Sequence, residues 1–139
     1  MRHLMMTLIG FLLLGGTALA WGYQYLEPAD MKQWLETGKE LVIVDIQPAQ
    51  DFAGRHFKGA IETNAFPTES EAERQRLAKA VAAYRAKPTD VVVVCPRGGG
   101  GAKRTSDYLK ENGVPEKNLF ILAGGMDKWP YGRLVQKTK

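Results

Sequence analysis

Three short apolar runs separated by helical patterns restrict this chain to a layered α/β fold. Leu41 to Ile46 is apolar except for Asp45, Val91 to Cys95 is four valines and a cysteine, and Leu119 to Leu122 is apolar throughout. Runs of this kind fit strands buried on both faces, as in a parallel sheet covered by helices. The helices are legible between them. Pro28-Ala29-Asp30 followed by Met31, Trp34 and Leu35 predicts an N-capped helix stopped at Gly38. Ser70 and Glu73 have capping-box spacing, and Leu77, Val81 and Tyr84 recur on one face until Pro88, which predicts the longest helix beyond the first twenty residues. A further helix is expected from Ala102 to Asn112, with Gly113 past its end. In such sheets ligands gather outside the carboxyl ends of strands, where Asp45 and Cys95 both fall.

The chain has 139 residues, enough for one domain. Residues 1–20 are set apart from it: Arg2 and His3 precede an apolar or small stretch from Leu4 to Gly16, and Ala18-Leu19-Ala20 offers small residues where a signal peptidase reads. The expectation is a signal peptide cleaved after Ala20, a domain over 21–139, and a periplasmic or secreted protein with no membrane contact once the signal is gone. An uncleaved anchor is the alternative, since Leu4 to Gly22 carries no charge. Removing the segment takes away Arg2 alone of 19 basic residues, against 15 acidic, so the domain is mildly basic. Without a basic stripe interleaved with aromatics, nucleic acid is not an expected partner.

Cys95 is the chain's only cysteine, so it cannot form an internal disulfide, and an odd cysteine in an exported chain points to an intermolecular bond or a reactive thiol. It stands where a strand gives way to Pro96-Arg97 and four glycines, Gly98, Gly99, Gly100 and Gly101. Glycines allow the positive φ that turns successive N–H groups inward, and they let a ligand approach the backbone. With a helix N-terminus behind them, these amides favour a thiolate or a bound anion. Lys103 and Arg104 in the first turn oppose the helix dipole and make better sense beside an anion, and Arg97 is the best-placed side chain to hold one. Such a thiolate could take up a sulfane sulfur as a persulfide, attack phosphorus or sense oxidants. Cysteine phosphatases use an Arg six positions after the nucleophile; here that position is Gly101.

These residues resemble the rhodanese family of sulfurtransferases. Val44-Asp45-Ile46-Gln47, then Asp51-Phe52-Ala53-Gly54-Arg55-His56-Phe57-Lys58-Gly59-Ala60-Ile61, are similar to the family's first signature. Val91 to Cys95 with its glycine loop, then Gly124-Gly125-Met126-Asp127-Lys128-Trp129, are similar to its second half. The resemblance implies a five-stranded parallel sheet flanked by helices on both faces, with Cys95 as nucleophile. It also implies a substrate cradle formed by Arg97, Gly98, Gly99, Gly100 and Gly101, to which the charge of the helix's first turn adds Arg104 as a candidate. A sulfane sulfur would pass from a small anionic donor, thiosulfate or polysulfide, through a Cys95 persulfide to a thiol, cyanide or a protein acceptor. No cofactor or metal is implied. Asp45 is expected to support the site by hydrogen-bonding loop amides, and His56 to be a structural hydrogen-bonding residue.

Three departures from the family pattern stand out. Gln47 replaces the usual Arg, with Arg97 or Arg104 as candidates to compensate; the stretch from Cys95 to its helix reads about one residue long; and the loop carries no hydroxyl to select a donor. These motivate two alternatives, a polysulfide or persulfide carrier with little turnover and a redox-sensing module.

Overall fold

The computed structural model describes residues 22–139, so the signal peptide expected over residues 1–20 lies outside the described residues. Strand β1 (Tyr25–Leu26) leads into helix α1 (Pro28–Glu36), then β2 (Leu41–Asp45), α2 (Ala49–Gly54), β3 (His56–Phe57) and β4 (Ile61–Glu62). Two helices follow, α3 (Glu71–Gln75) and α4 (Ala78–Ala86), then β5 (Asp90–Val94), α5 (Gly100–Glu111), β6 (Leu119–Leu122) and β7 (Val135–Gln136). Five strands form one sheet in the order β1-β6-β5-β2-β4, every pair parallel, while β3 and β7 pair antiparallel beside it. No helix among the described residues is long and apolar enough to cross a membrane.

The valine run has a direct structural reason. β5 lies between β6 and β2, with Val93 opposite Val44 and Ile121. Its side chains alternate between two cores: Val91, Val93 and Cys95 pack with Val44, Leu77, Ala102 and Leu109, whereas Val92 and Val94 pack with Met31, Ile43, Phe57 and Trp129. Helices α4 and α5 cover the first face and α1 the second, so none of the four valines has a solvent face that would demand a polar partner.

Local structure departs from the sequence reading at three places. Pro28 starts α1 at its first position, but the N-cap is Glu27, with no side-chain cap bond. The capping box forms, with Ser70 Oγ accepting from the Glu73 N–H at 3.2 Å and the Glu73 carboxylate accepting from the Ser70 N–H at 3.0 Å. The helix it opens ends at Gln75, however, and restarts at Ala78, because the Arg76 and Leu77 N–H groups bond three residues back and turn Leu77 wholly into the core. The longest helix described is therefore α5, which begins at Gly100 rather than Ala102. Gly100 and Gly101 thus form its first turn instead of standing in the loop before it.

Candidate active site

Cys95 follows β5 directly and is 1% exposed, its side chain set among Ala65, Ala102 and the valines of the first core. The chain turns back on itself at once, and the Gly98 N–H donates to Cys95 Sγ at 2.7 Å. Gly98 has φ +74, and a Cβ there would stand 3.0 Å from the Gly124 nitrogen and 3.1 Å from the Leu122 carbonyl oxygen. Only glycine fits both the turn and the space. Along α5 the first backbone bond runs from the Lys103 N–H to the Gly99 carbonyl, and among the described residues no acceptor meets the N–H groups of Gly100, Gly101 and Ala102 in the first turn.

The four glycines thus serve different ends. A Cβ on Gly100 would meet Arg104 Nη1 at 2.9 Å, and one on Gly101 would stand 3.0 Å from the Phe66 ring and 3.3 Å from the Pro67 carbonyl oxygen. Gly99 faces open space. Arg104 donates from Nε and Nη2 to the Pro67 carbonyl, at 3.1 and 3.0 Å, and pairs with Glu69 at 3.3 Å. Arg97 is 83% exposed and lies 3.7 Å from the Asp127 carboxylate. Lys103 lies over the Tyr23 ring, 5.8 Å from its centroid.

A second turn roofs the loop. The Met126 N–H donates to the Cys95 carbonyl at 2.8 Å and the Asp127 N–H to the Pro96 carbonyl at 2.9 Å. Both bonds require the Gly124–Gly125 corner to lie flat on the Cys95–Arg97 backbone. The corner is itself held from the far side, because the Arg55 guanidinium donates to the carbonyls of Met126 and Trp129. Trp129 is buried edge-on to Phe57, ring centroids 4.7 Å apart, and its indole N–H donates to the Tyr131 carbonyl.

Asp45 is fully buried, but its carboxylate accepts from the Gln47 N–H at 2.9 Å and from Gln47 Nε2 at 3.0 Å, not from the loop amides. Alternation along β2 explains this: Ile43 and Asp45 face the second core, whereas Cys95 belongs to the first. Gln47 Nε2 also donates to the Arg55 carbonyl at 3.0 Å. His56 Nδ1 donates to the Phe52 carbonyl at 2.7 Å, its ring stacks on Phe52, and Gln136 Nε2 reaches its Nε2 at 3.4 Å, so it ties β3 to β7.

Burial raises the Asp45 carboxyl from its ordinary 3.8 to about 6, against the lowering effect of the Gln47 hydrogen bonds and the nearby His56. Between those values the folded protein keeps a proton that the unfolded chain has lost. Asp45 therefore contributes stability that is full below pH 3.8 and lost as pH rises through about 6. The stability of Asp45→Asn relative to the unmutated protein should accordingly grow as pH is raised from about 4 to about 7, read from thermal midpoints. A difference that stays constant across that range would show that Asp45 does not titrate as described.

With this geometry in place, the sequence profile of the rhodanese-like domain matches residues 27–130. The chain belongs to the rhodanese-like domain family. Solved structures of similar fold include the As-Sb reductase from Leishmania major, with 18% identity, TM-score 0.63, and 84% of this chain and 86% of that one covered. A rhodanese-like domain protein from Staphylococcus aureus has 19% identity and TM-score 0.62, with 84% and 99% covered. A yeast protein tyrosine phosphatase of the rhodanese family has 17% identity and TM-score 0.57, with 77% and 83% covered. No curated protein matches the chain in sequence. At these identities the solved structures show the fold alone.

Within this rhodanese-like domain, Cys95, Gly98, Gly99, Gly100 and Gly101 come together as one loop and helix start, with Arg97 and Arg104 at its border. Asp45 and His56 bond outside this loop, Asp45 to Gln47 and His56 to the Phe52 carbonyl. Among the described residues no group of His, Cys, Asp or Glu side chains is placed to hold a metal ion. Sequence reasoning missed Arg55, the residue whose backbone meets Gln47 and whose guanidinium fastens the roof of the loop. Phe66 was also missed, because its contact with Gly101 joins segments 35 residues apart in the chain.

Proposed function

We propose that this domain transfers a sulfane sulfur through Cys95. The observation that carries the reading is the Gly98 N–H on Cys95 Sγ, at the foot of a helix whose first-turn amides have no backbone acceptor among the described residues. The thiolate attacks the outer sulfur of a donor such as thiosulfate or polysulfide. A new S–S bond forms to Cys95, the donor's own S–S bond breaks, and sulfite or the shortened polysulfide leaves with the electron pair. A thiol, cyanide or a protein thiol then attacks the outer sulfur of the persulfide and regenerates the thiolate. The amides stabilise the negative charge of both the entering donor and the persulfide.

Gly101 and its neighbour favour this over phosphoryl transfer. No side chain at 101 is present to clamp phosphoryl oxygens, and the space one would need holds the Phe66 ring. The proposal includes export, to the periplasm or outside the cell, which rests on the pattern of residues 1–20. Intact mass of the purified protein after thiosulfate, polysulfide or no donor tests both points. A gain of one sulfur that is released as thiocyanate by cyanide is expected, on a chain that begins after Ala20. An unchanged mass with every donor would reject sulfur transfer. Turnover with polysulfide but none with thiosulfate would favour the carrier role.

A further inference from the structure

Four features of the rim of the Cys95 loop point the same way. Phe66 lies against the first turn of α5, so close that a Cβ on Gly101 would stand 3.0 and 3.2 Å from two ring carbons. It is nonetheless 37% exposed, one of three exposed large apolar side chains among the described residues; of the other two, Tyr25 belongs to the edge strand β1, and Tyr23, just before it, donates its hydroxyl to the Asp107 carboxylate further along α5. The ring is also fixed in place. The Phe66 N–H donates to the Ile46 carbonyl at 2.9 Å, Arg104 holds the Pro67 carbonyl, and Thr68 Oγ1 meets Thr105 Oγ1 at 3.0 Å, which in turn donates to the Gly101 carbonyl. Finally, each arginine at the border faces a carboxylate, Arg104 with Glu69 and Arg97 with Asp127. The two guanidinium groups at the border are thus each balanced by a carboxylate, Lys103 of the first turn lies over the Tyr23 ring, and the cradle has a rigid aromatic ring beside its amides.

We infer that the sulfane donor of this site carries an organic group, which lies on Phe66, rather than being a small inorganic dianion. The inference rests on the proposed sulfur transfer at Cys95. A dianion such as thiosulfate needs compensating positive charge, and Glu69 and Asp127 have already drawn on the two guanidinium groups. A monoanionic donor of the form R–SO2–S⁻ or R–S–S⁻ needs only the amides for its charge and gains apolar contact for R. The step balances without any added oxidant or reductant. Cys95 thiolate attacks the terminal sulfur, the new S–S bond forms as the donor's bond to that sulfur breaks, and R–SO2⁻ or R–S⁻ leaves with the electron pair.

Benzenethiosulfonate and thiosulfate probe the two donor classes through the same product, the Cys95 persulfide. The unmutated protein should show kcat/KM about ten-fold higher for benzenethiosulfonate. Phe66→Ala should lower the ratio of the two kcat/KM values by about three- to ten-fold, the range of an aromatic contact. Glu69→Gln, on the exposed side of Arg104, should lower the same ratio by about two- to five-fold by raising turnover of thiosulfate. Phe66→Leu, which keeps an apolar side chain, guards against loss of fold and should give an intermediate ratio. An unmutated protein that prefers thiosulfate, or a ratio unmoved in both Phe66 variants, would overturn the inference while leaving sulfur transfer intact. Absence of any persulfide from either donor would instead remove the sulfur-transfer reading, and the donor class with it.

Discussion

Cys95→Ser should abolish sulfur uptake, with intact mass unchanged after any donor and thiocyanate formation at background, a loss of at least about 10³-fold in turnover. The serine oxygen is close in size and can still accept the Gly98 N–H, so the loop keeps its bond. It cannot substitute in the chemistry, because a hydroxyl stays protonated near neutral pH and oxygen does not carry a sulfane sulfur as a persulfide. Cys95 is the only cysteine, so no second thiol can mask the result. The thermal midpoint should fall by only a few degrees, the cost of a buried hydroxyl in place of a thiol that packs with Ala65 and Ala102. A Ser variant that still gains sulfur would place the chemistry on another group and end the proposal.

The sheet could be read from the chain because its central strands carry their environment in their composition. Val91 to Val94 is apolar at every position because both faces of β5 are covered, and the loop follows because the strand's carboxyl end opens towards the ligand side. The position of Cys95 was visible for the same reason. The start of α5 was not: glycine is a poor helix former, so four in a row read as loop. Gly100 and Gly101 form the first turn with Arg104 and Phe66 so close that a Cβ would meet them, and only the folded structure brings Phe66 there. Asp45 shows a different failure. Its place at the end of β2 suggested the site, but side chains alternate across a sheet, and the position that shares a row with Ile43 points away from Cys95. Arg55 was part of a recognised motif, yet its guanidinium acts on carbonyls more than 70 residues later, a contact with no local signature. The two-residue strands β3 and β7 were invisible for the same reason, since each is defined only by its distant partner.

Gly125→Ala should cost more than any other single methyl group added to the loop. Gly125 sits at φ +61, where an L side chain is strained by roughly 1 to 2 kcal/mol. The added Cβ would also fall on backbone rather than on a yielding side chain: it overlaps the Cys95 carbonyl and would stand 2.6 Å from the Arg97 nitrogen. Forcing the two segments apart adds about 1 to 3 kcal/mol of overpacking. It pulls the Met126 and Asp127 N–H groups off the Cys95 and Pro96 carbonyls, and with them the loop that aims Sγ. A displacement near 1 Å at a reacting atom is worth about 10² in rate, so kcat/KM should drop about 100-fold with either donor, and the thermal midpoint by about 10 °C. Gly132→Ala is the control, since Gly132 has open space around its Cα and no positive φ. If the two alanines behave alike in both assays, the glycine corner is not what holds Cys95 in place. If Gly125→Ala loses stability but keeps its rate, the corner supports the fold without aiming the thiol.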